Sequence, residues 1–255
     1  MKIKLNKDKR IGKVLYLVEG EKDEVDLLKL IYKDILKYNI VYYNKTNNAA
    51  IKERVSNDLF SVVYIVPMEN SAISKIKSSR DYLDNIYNKL KMYDLHYDEC
   101  AKYFIFDRDR TNNPSRIIKR NFSILKNSYD NDNEINGLLL LSYPSIEAFY
   151  YNCNKLNKNF KSGKEIKNDL MLNNRIKKID VDSLKNGVIF FLNFIQSFNK
   201  NKFNNFNLDD LSIFNLELFN IEENYRNSND SKLYFTLSTI FISLLDLGIF
   251  EYYED

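Results

Sequence analysis

The sequence contains five short, almost uninterrupted apolar runs, at residues 13–18, 40–43, 61–66, 103–106 and 137–142. An apolar run this short is typical of a strand that is buried on both faces, as the strands of a parallel sheet are. Between the runs, apolar residues recur at helical spacing, most clearly over 21–37 and 70–94. Because strands alternate with helices, we predict an α/β fold whose mainly parallel sheet is flanked by helices.

The pattern changes at about residue 151. Beyond it, apolar helical patterns at 186–198 and 232–247 are separated by connections rich in Asn and Lys. We therefore predict two parts, an α/β domain over 1–150 and an all-helical C-terminal lobe over 151–255.

The sequence gives no sign of a membrane segment. The apolar stretch 236–250 contains Asp246 and is shorter than the roughly 20 residues that a span requires, so we predict a buried helix there. Residues 1–10 are too polar for a secretory signal. We expect a cytoplasmic protein.

The small numbers of histidines and cysteines limit the kinds of metal site and catalytic group that the chain can form. His96 is the sole histidine, and Cys100 and Cys153 are the only cysteines among the 255 residues. These counts exclude a disulfide scaffold, a Cys-based structural zinc site and a His-rich metal site. A catalytic triad or a Cys–His pair would have only His96 as its histidine. If the chain is an enzyme, we expect carboxylates and a hard cation to carry the reaction.

Charge is distributed unevenly along the chain, although the net charge is only +3. Basic residues dominate 1–13, 101–127 and 154–178, whereas 207–255 carries ten Asp or Glu against only Arg226 and Lys232. Such a distribution suits a surface that meets a polyanion such as nucleic acid. Ordinary surface solvation of a Lys- and Asn-rich chain is the alternative interpretation.

Acidic residues stand where predicted strands end. Glu19 follows the first run, Asp107 and Asp109 follow the run at 103–106, and Glu147 comes soon after the run at 137–142. Ligands of open α/β sheets bind at the carboxyl ends of strands, and carboxylates in such a place favour Mg²⁺.

Each of these acids also has a structural interpretation. Glu24 lies in the first turn of a predicted helix, where it would complement the helix dipole. Asp107 and Asp109 would suit a turn, and Glu147, just after Ser145, would suit a helix cap. The structural interpretation is weakest for Glu19, because a carboxylate at the end of a central strand needs a cation or several donors.

The residues at these strand ends resemble a known family. Val18-Glu19-Gly20, followed by Glu21-Lys22-Asp23-Glu24, resembles the first motif of the Toprim (topoisomerase–primase) domain, and Asp107-Arg108-Asp109 resembles its DxD motif. Together with the segment from Ser142 to Phe149, the spacing is most similar to RloB/AbiL-like and OLD-type nucleases of bacterial abortive infection and phage defence. The resemblance covers about 12–150, and Asp23 stands where many relatives have Thr.

The resemblance implies roles for individual residues. Glu19 would be a metal-proximal carboxylate and general acid or base, and Asp107 and Asp109 would coordinate Mg²⁺, with Mn²⁺ as a substitute. Glu24 and Glu147 would complete or orient a second metal site. The residues expected to hold substrate phosphates are Lys22, Arg108 and Arg110, for which plain solvated charge is the alternative.

Within the Toprim superfamily, a nuclease is the simplest fit. The chain is too short for a topoisomerase with its own strand-passing domain, and its Cys and His cannot build the zinc ribbon of a replicative primase. We therefore expect a Mg²⁺-dependent nuclease that cuts DNA or RNA, tRNA included, as a defence effector. The alternatives are a catalytically inactive Toprim module that binds nucleic acid or a partner, and a phosphohydrolase that acts on nucleotides.

The C-terminal lobe raises the question of partners. Apolar residues over 233–247 outnumber what one helix face must bury. A packed helical core is one interpretation. The other is a surface for a homo-oligomer or for an ABC-type, OLD-like ATPase partner.

Overall fold

The computed structural model describes residues 2–44, 49–53, 60–68, 88–93, 95, 100–108, 113–129, 137–198 and 211–253. The strands are β1 (Lys2–Leu5), β2 (Gly12–Val18), β3 (Asn39–Asn44), β4 (Ala49–Glu53), β5 (Ser61–Pro67), β6 (Cys100–Asp107), β7 (Lys126–Asn127), β8 (Gly137–Tyr143), β9 (Leu237–Ser238) and β10 (Phe250–Tyr253). The helices are α1 (Asp23–Leu28), α2 (Ser115–Ile124), α3 (Ala148–Cys153), α4 (Gly163–Leu172), α5 (Val181–Phe198), α6 (Leu211–Ser228) and α7 (Ile240–Asp246).

The fold is α/β, with a mixed, mostly parallel sheet flanked by helices, as predicted. Strand order is β4-β3-β5-β2-β6-β8-β7. Strand β2 runs parallel to β5 and β6, and β3 runs parallel to β5. At one edge β4 pairs with β3 in the antiparallel sense, and at the other β7 does so with β8.

The chain divides into two compact units. Unit 1 comprises Met1–Lys9, Asp107–Asp109 and Leu140–Asp255, and unit 2 comprises Arg10–Phe106 and Arg110–Leu139. Each unit combines separate segments of the chain, whereas the predicted domains 1–150 and 151–255 are continuous. The division into those two domains stays a prediction.

Unit 2 contains β2, β3 and β5, three of the strands that the apolar runs predict, whereas β6 and β8 continue into unit 1. All residues of β5 are buried, as are five of the seven in β2, Val14 to Val18. The helical pattern after β2 is realised as α1, which continues into a π-helical turn at Lys29–Ile35. The predicted helix over 70–94 lies mostly outside the described residues, which include only 88–93 of it.

Unit 1 packs helices together with short strands. Helix α4 buries Ile166 and Leu170 in a cluster with Tyr151 and Phe160. Strand β1 pairs with β10, and β9 pairs with the last residues of β8. The prediction of an all-helical lobe is therefore wrong, because residues of this segment find strand partners that are distant in the sequence.

The predicted buried helix over 236–250 is also shorter than expected. Residues Leu237–Ser238 form β9 and only Ile240–Asp246 form helix α7, whose side chains are largely buried. None of the described helices has the length and apolar character to cross a membrane.

Candidate functional site

The carboxyl end of β2 is the point in unit 2 where the strand order reverses. Strands β5 and β3 lie on one side of β2, and β6 lies on the other. Glu19 directly follows β2, and its backbone N–H donates to the carbonyl of Ile105 at 3.2 Å. Because ligands of open α/β sheets bind at such a switch point, Glu19 occupies the position where sequence analysis expects a site.

The Glu24 carboxyl group lies against Gly20, the residue after Glu19. A Cβ atom added to Gly20 would stand 2.3 Å from Glu24 Oε2 and 3.2 Å from Oε1. The Glu24 side chain is therefore folded back from α1 over the turn that leaves β2, and Glu24 is only 6% exposed. Glycine at position 20 creates the space that this carboxylate fills.

In unit 1, Asp107 is held by a backbone donor. Its Oδ1 accepts a hydrogen bond from the N–H of Ile146 at 2.7 Å. The next residue, Arg108, donates its own N–H to the carbonyl of Ser142 at 2.9 Å. Asp107 thus accepts a bond from the segment after β8, which fixes the orientation of its carboxylate.

Glu147 occupies the N-cap position directly before α3, and its side chain makes no capping hydrogen bond. Its Oε2 accepts a hydrogen bond from the Ser145 hydroxyl at 2.6 Å, and its Oε1 lies 3.4 Å from Lys167 Nζ on α4. Glu147 is 5% exposed. Lys167 carries no local sequence signal for this contact, because its position beside the start of α3 depends on how α4 packs.

The side chain of Arg108 is directed into unit 1. Its Nε and Nη2 both lie 2.9 Å from Glu223 Oε1 on α6, and its guanidinium stands 5.3 Å from the ring centre of Phe219. Arg108 is 1% exposed. This burial argues against the expected contact between Arg108 and a substrate phosphate, and it gives the residue a structural role. Glu223 carries no local sequence signal that would have revealed it.

The other predicted residues are divided between the two units or lie outside the described chain. Lys22 is exposed and precedes α1 in unit 2. Asp109 and Arg110 lie outside the described residues. The structure brings Glu24 to the turn beside Glu19 in unit 2, and it brings Asp107 to Ile146 in unit 1.

Unit 1 also contains a buried acid that the sequence does not single out. Glu222 on α6 is fully buried, and its Oε2 accepts a hydrogen bond from the N–H of Phe235 at 3.1 Å. Burial raises the pKa of Glu222 well above its ordinary value of 4.5, and the neighbouring Glu223 raises it further. Burial likewise raises the pKa of Tyr143, with Glu222 adding to the shift.

The donor set at the end of β2 fits Mg²⁺. Glu19 and Glu24 offer only carboxylate oxygens, and Mg²⁺ is commonly held by one or two carboxylates, waters and substrate phosphates. In the part of the chain that the structure describes, no three His, Cys, Asp or Glu side chains cluster as a metal site.

Comparisons with protein-family models, with curated proteins and with solved structures found no match.

Proposed function

We propose that this protein is a Mg²⁺-dependent nuclease that hydrolyses phosphodiester bonds of DNA or RNA. The observation that carries the proposal is the Glu24 carboxylate packed against Gly20, beside Glu19 at the switch point of the sheet. Acidic oxygens in that place favour a hard divalent cation, and a cation there favours a phosphate-bearing substrate.

The proposal gives the carboxylates distinct tasks. Glu19 and Glu24 supply oxygen ligands in unit 2, and Asp107, Asp109 and Glu147 are the proposed ligands in unit 1. When bound, the cation supplies stabilisation for negative charge that develops on the phosphoryl oxygens. Glu19, which directly follows β2, is also the proposed acid or base that moves a proton during hydrolysis.

Several residues have supporting tasks in this proposal. The N–H of Ile146 holds Asp107 Oδ1, and the Ser145 hydroxyl holds Glu147 Oε2. Lys22, which is exposed three residues after Glu19, is the cation proposed to contact a substrate phosphate, with Arg110 as a second one. Arg108 is left out of the phosphate site, because its guanidinium is buried against Glu223.

The resemblance of 12–150 to Toprim nucleases supports a biological role as well. On that resemblance, we propose a phage-defence effector, kept in check or activated by an ABC-type ATPase partner. The order of the motifs supports this role: the glutamate of the first motif, the DxD motif and the later acid follow one another in that sequence.

Cleavage of plasmid DNA and of total tRNA by the purified protein tests the proposal. We expect cutting with Mg²⁺ or Mn²⁺, none with EDTA, and none by Glu19→Gln. Glu21→Gln is the matched control, because it makes the same change at an exposed position two residues away and should retain cutting.

The alternative, an inactive binding module, predicts a different result. Such a module would bind nucleic acid with an affinity that falls with salt, would not cut with or without the partner ATPase, and would tolerate Glu19→Gln without a change in binding. Metal-dependent cutting that persists in Glu19→Gln would contradict the assignment of Glu19.

A further inference from the structure

Helix α4 exposes two adjacent apolar side chains. Met171 is 67% exposed and Leu172 is 85% exposed. The opposite side of the helix is occupied, since Ile166 and Leu170 are buried in the cluster that includes Phe160. The core of unit 1 therefore does not account for Met171 and Leu172.

The segment around this apolar pair is strongly basic. Residues 154–178 carry eight Lys or Arg against Glu165 and Asp169. Both acids are engaged locally: Asp169 forms an ion pair with Lys158, and Glu165 accepts a hydrogen bond from the backbone N–H of Lys161 at 2.8 Å. The exposed surface of this segment is thus complementary to a polyanion.

The outer face of α4 leads away from Glu147. Lys164, Lys167 and Met171 follow one another at spacings of three and four residues, so they share one face of the helix. Lys167 Nζ lies 3.4 Å from Glu147 Oε1. From Lys167 to Leu172 the helix rises about 7.5 Å, a distance comparable to one or two nucleotides of a strand.

We infer that this outer face of α4, formed by Lys164, Lys167, Met171 and Leu172, binds a single nucleic-acid strand next to Glu147. The inference rests on the proposed function and specifies where its substrate is held. The lysines contact phosphates, and the apolar pair packs against the face of an unpaired base, since Leu and Met are among the apolar side chains that proteins insert between bases.

A membrane surface fits this face less well. A helix that lies in a membrane interface presents a wide apolar stripe along its length, whereas α4 exposes two apolar residues at its C-terminal end. The neighbouring positions Lys164 and Lys167 interrupt any such stripe.

Binding of a labelled single-stranded oligonucleotide in EDTA, followed by fluorescence anisotropy, tests the inference. We expect Leu172→Ser to weaken single-strand binding by roughly fivefold to tenfold and to affect the matching duplex less. Met92→Ser is the matched control, because Met92 is 81% exposed elsewhere in the chain, and it should bind like the wild type.

The salt dependence of binding tests the lysines separately. We expect Lys164→Gln to lower the slope of log affinity against log salt by about 0.7, the value for one phosphate of a single strand. Lys52→Gln makes the same change on the exposed edge strand β4 and should leave the slope unchanged.

The possible results separate this inference from the proposed function. Unchanged binding by both Leu172→Ser and Lys164→Gln would overturn the inference, even if the protein cuts with Mg²⁺. The expected losses of binding would support the inference even if no cutting occurs, because EDTA removes the metal from the assay. Binding to phosphatidylserine vesicles that Leu172→Ser abolishes, with no binding to oligonucleotides, would overturn it in favour of a membrane.

Discussion

Arg108 and Glu223 form a buried ion pair in which Nε and Nη2 of the arginine both lie 2.9 Å from one carboxylate oxygen. The pair joins residues 115 positions apart in the sequence. Since Arg108 directly follows Asp107, the pair anchors the end of β6 to helix α6 within unit 1. The proposed metal ligand Asp107 is thereby fixed from two directions, by Ile146 and through its neighbour.

Removal of one partner of this pair should destabilise the protein strongly. Glu223→Ala leaves the Arg108 guanidinium buried without its carboxylate, and we expect the free energy of unfolding to fall by about 3 kcal/mol. Urea unfolding monitored by circular dichroism measures this change. The double variant Arg108→Met/Glu223→Leu should recover most of the loss, because it removes both charges. A Glu223→Ala protein as stable as the wild type would show that the pair contributes little.

The same pair shows where sequence reasoning succeeds and where it fails. The buried strands β2, β5 and β8 were predicted close to their observed bounds, because a continuous apolar run carries its own signal. Arg108 was expected at a phosphate because its sequence neighbours are acidic. Its true partner, Glu223, is distant in the sequence, and no local pattern reports such a contact.

The short strands of unit 1 were missed for a related reason. Strands β9 and β10 pair with β8 and β1, which lie far away along the chain. In the sequence, β9 and Phe250 of β10 continue the apolar composition of α7, which favours one helix across 236–250. At the candidate site, the sequence shows the order of Glu19, Gly20 and Glu24. It does not predict that the Glu24 carboxylate packs against Gly20, because that contact depends on the side-chain conformation.

Gly20→Ala should lower the affinity for Mn²⁺ while leaving the free energy of unfolding almost unchanged. A Cβ at this position would stand 2.3 Å from Glu24 Oε2, which is the far end of a flexible side chain and can move aside. Because Gly20 has no positive φ, alanine fits its backbone. We expect the free energy of unfolding to change by less than about 1 kcal/mol, while Mn²⁺ affinity falls as the carboxylate is displaced. Unfolding curves and calorimetric Mn²⁺ titration of the same preparation measure both quantities.

Gly187→Ala is the contrasting variant. A Cβ there would meet the Phe241 ring at 2.5 Å and Cys153 Sγ at 2.9 Å, both in the core of unit 1. Buried rings cannot move aside, so we expect a loss of about 1–3 kcal/mol in stability. A Gly187→Ala protein as stable as the wild type would contradict the expected clash with Phe241. A Gly20→Ala protein with unaltered Mn²⁺ affinity would contradict the expected role of Glu24 in metal binding.

Glu222 should make the stability depend on pH. Burial raises the pKa of its carboxyl group in the folded state above 4.5, whereas in the unfolded chain the group ionises near that value. Between the two pKa values the unfolded chain binds fewer protons, so stability falls as pH rises. Glu222→Gln keeps the shape of the protonated acid and lacks this dependence. We therefore expect the variant to gain stability relative to the wild type between about pH 5 and about pH 8.

Urea unfolding of both proteins at the two pH values measures the effect. Glu217→Gln on the same helix, α6, controls for the loss of one negative charge and should follow the wild type. Parallel pH profiles of wild type and Glu222→Gln would show that Glu222 ionises in the folded protein as it does in the unfolded chain.

The central claim is that the carboxylates at the end of β2 hold a divalent cation, and Mn²⁺ binding tests it most directly. Electron paramagnetic resonance of free Mn²⁺ in a titration of wild type, Glu19→Gln and Glu21→Gln requires neither a substrate nor a partner protein. We predict that wild type and Glu21→Gln deplete the free signal equally and that Glu19→Gln, which loses a ligand at the end of β2, depletes it less. Equal depletion by all three proteins, or depletion by none, would contradict the claim.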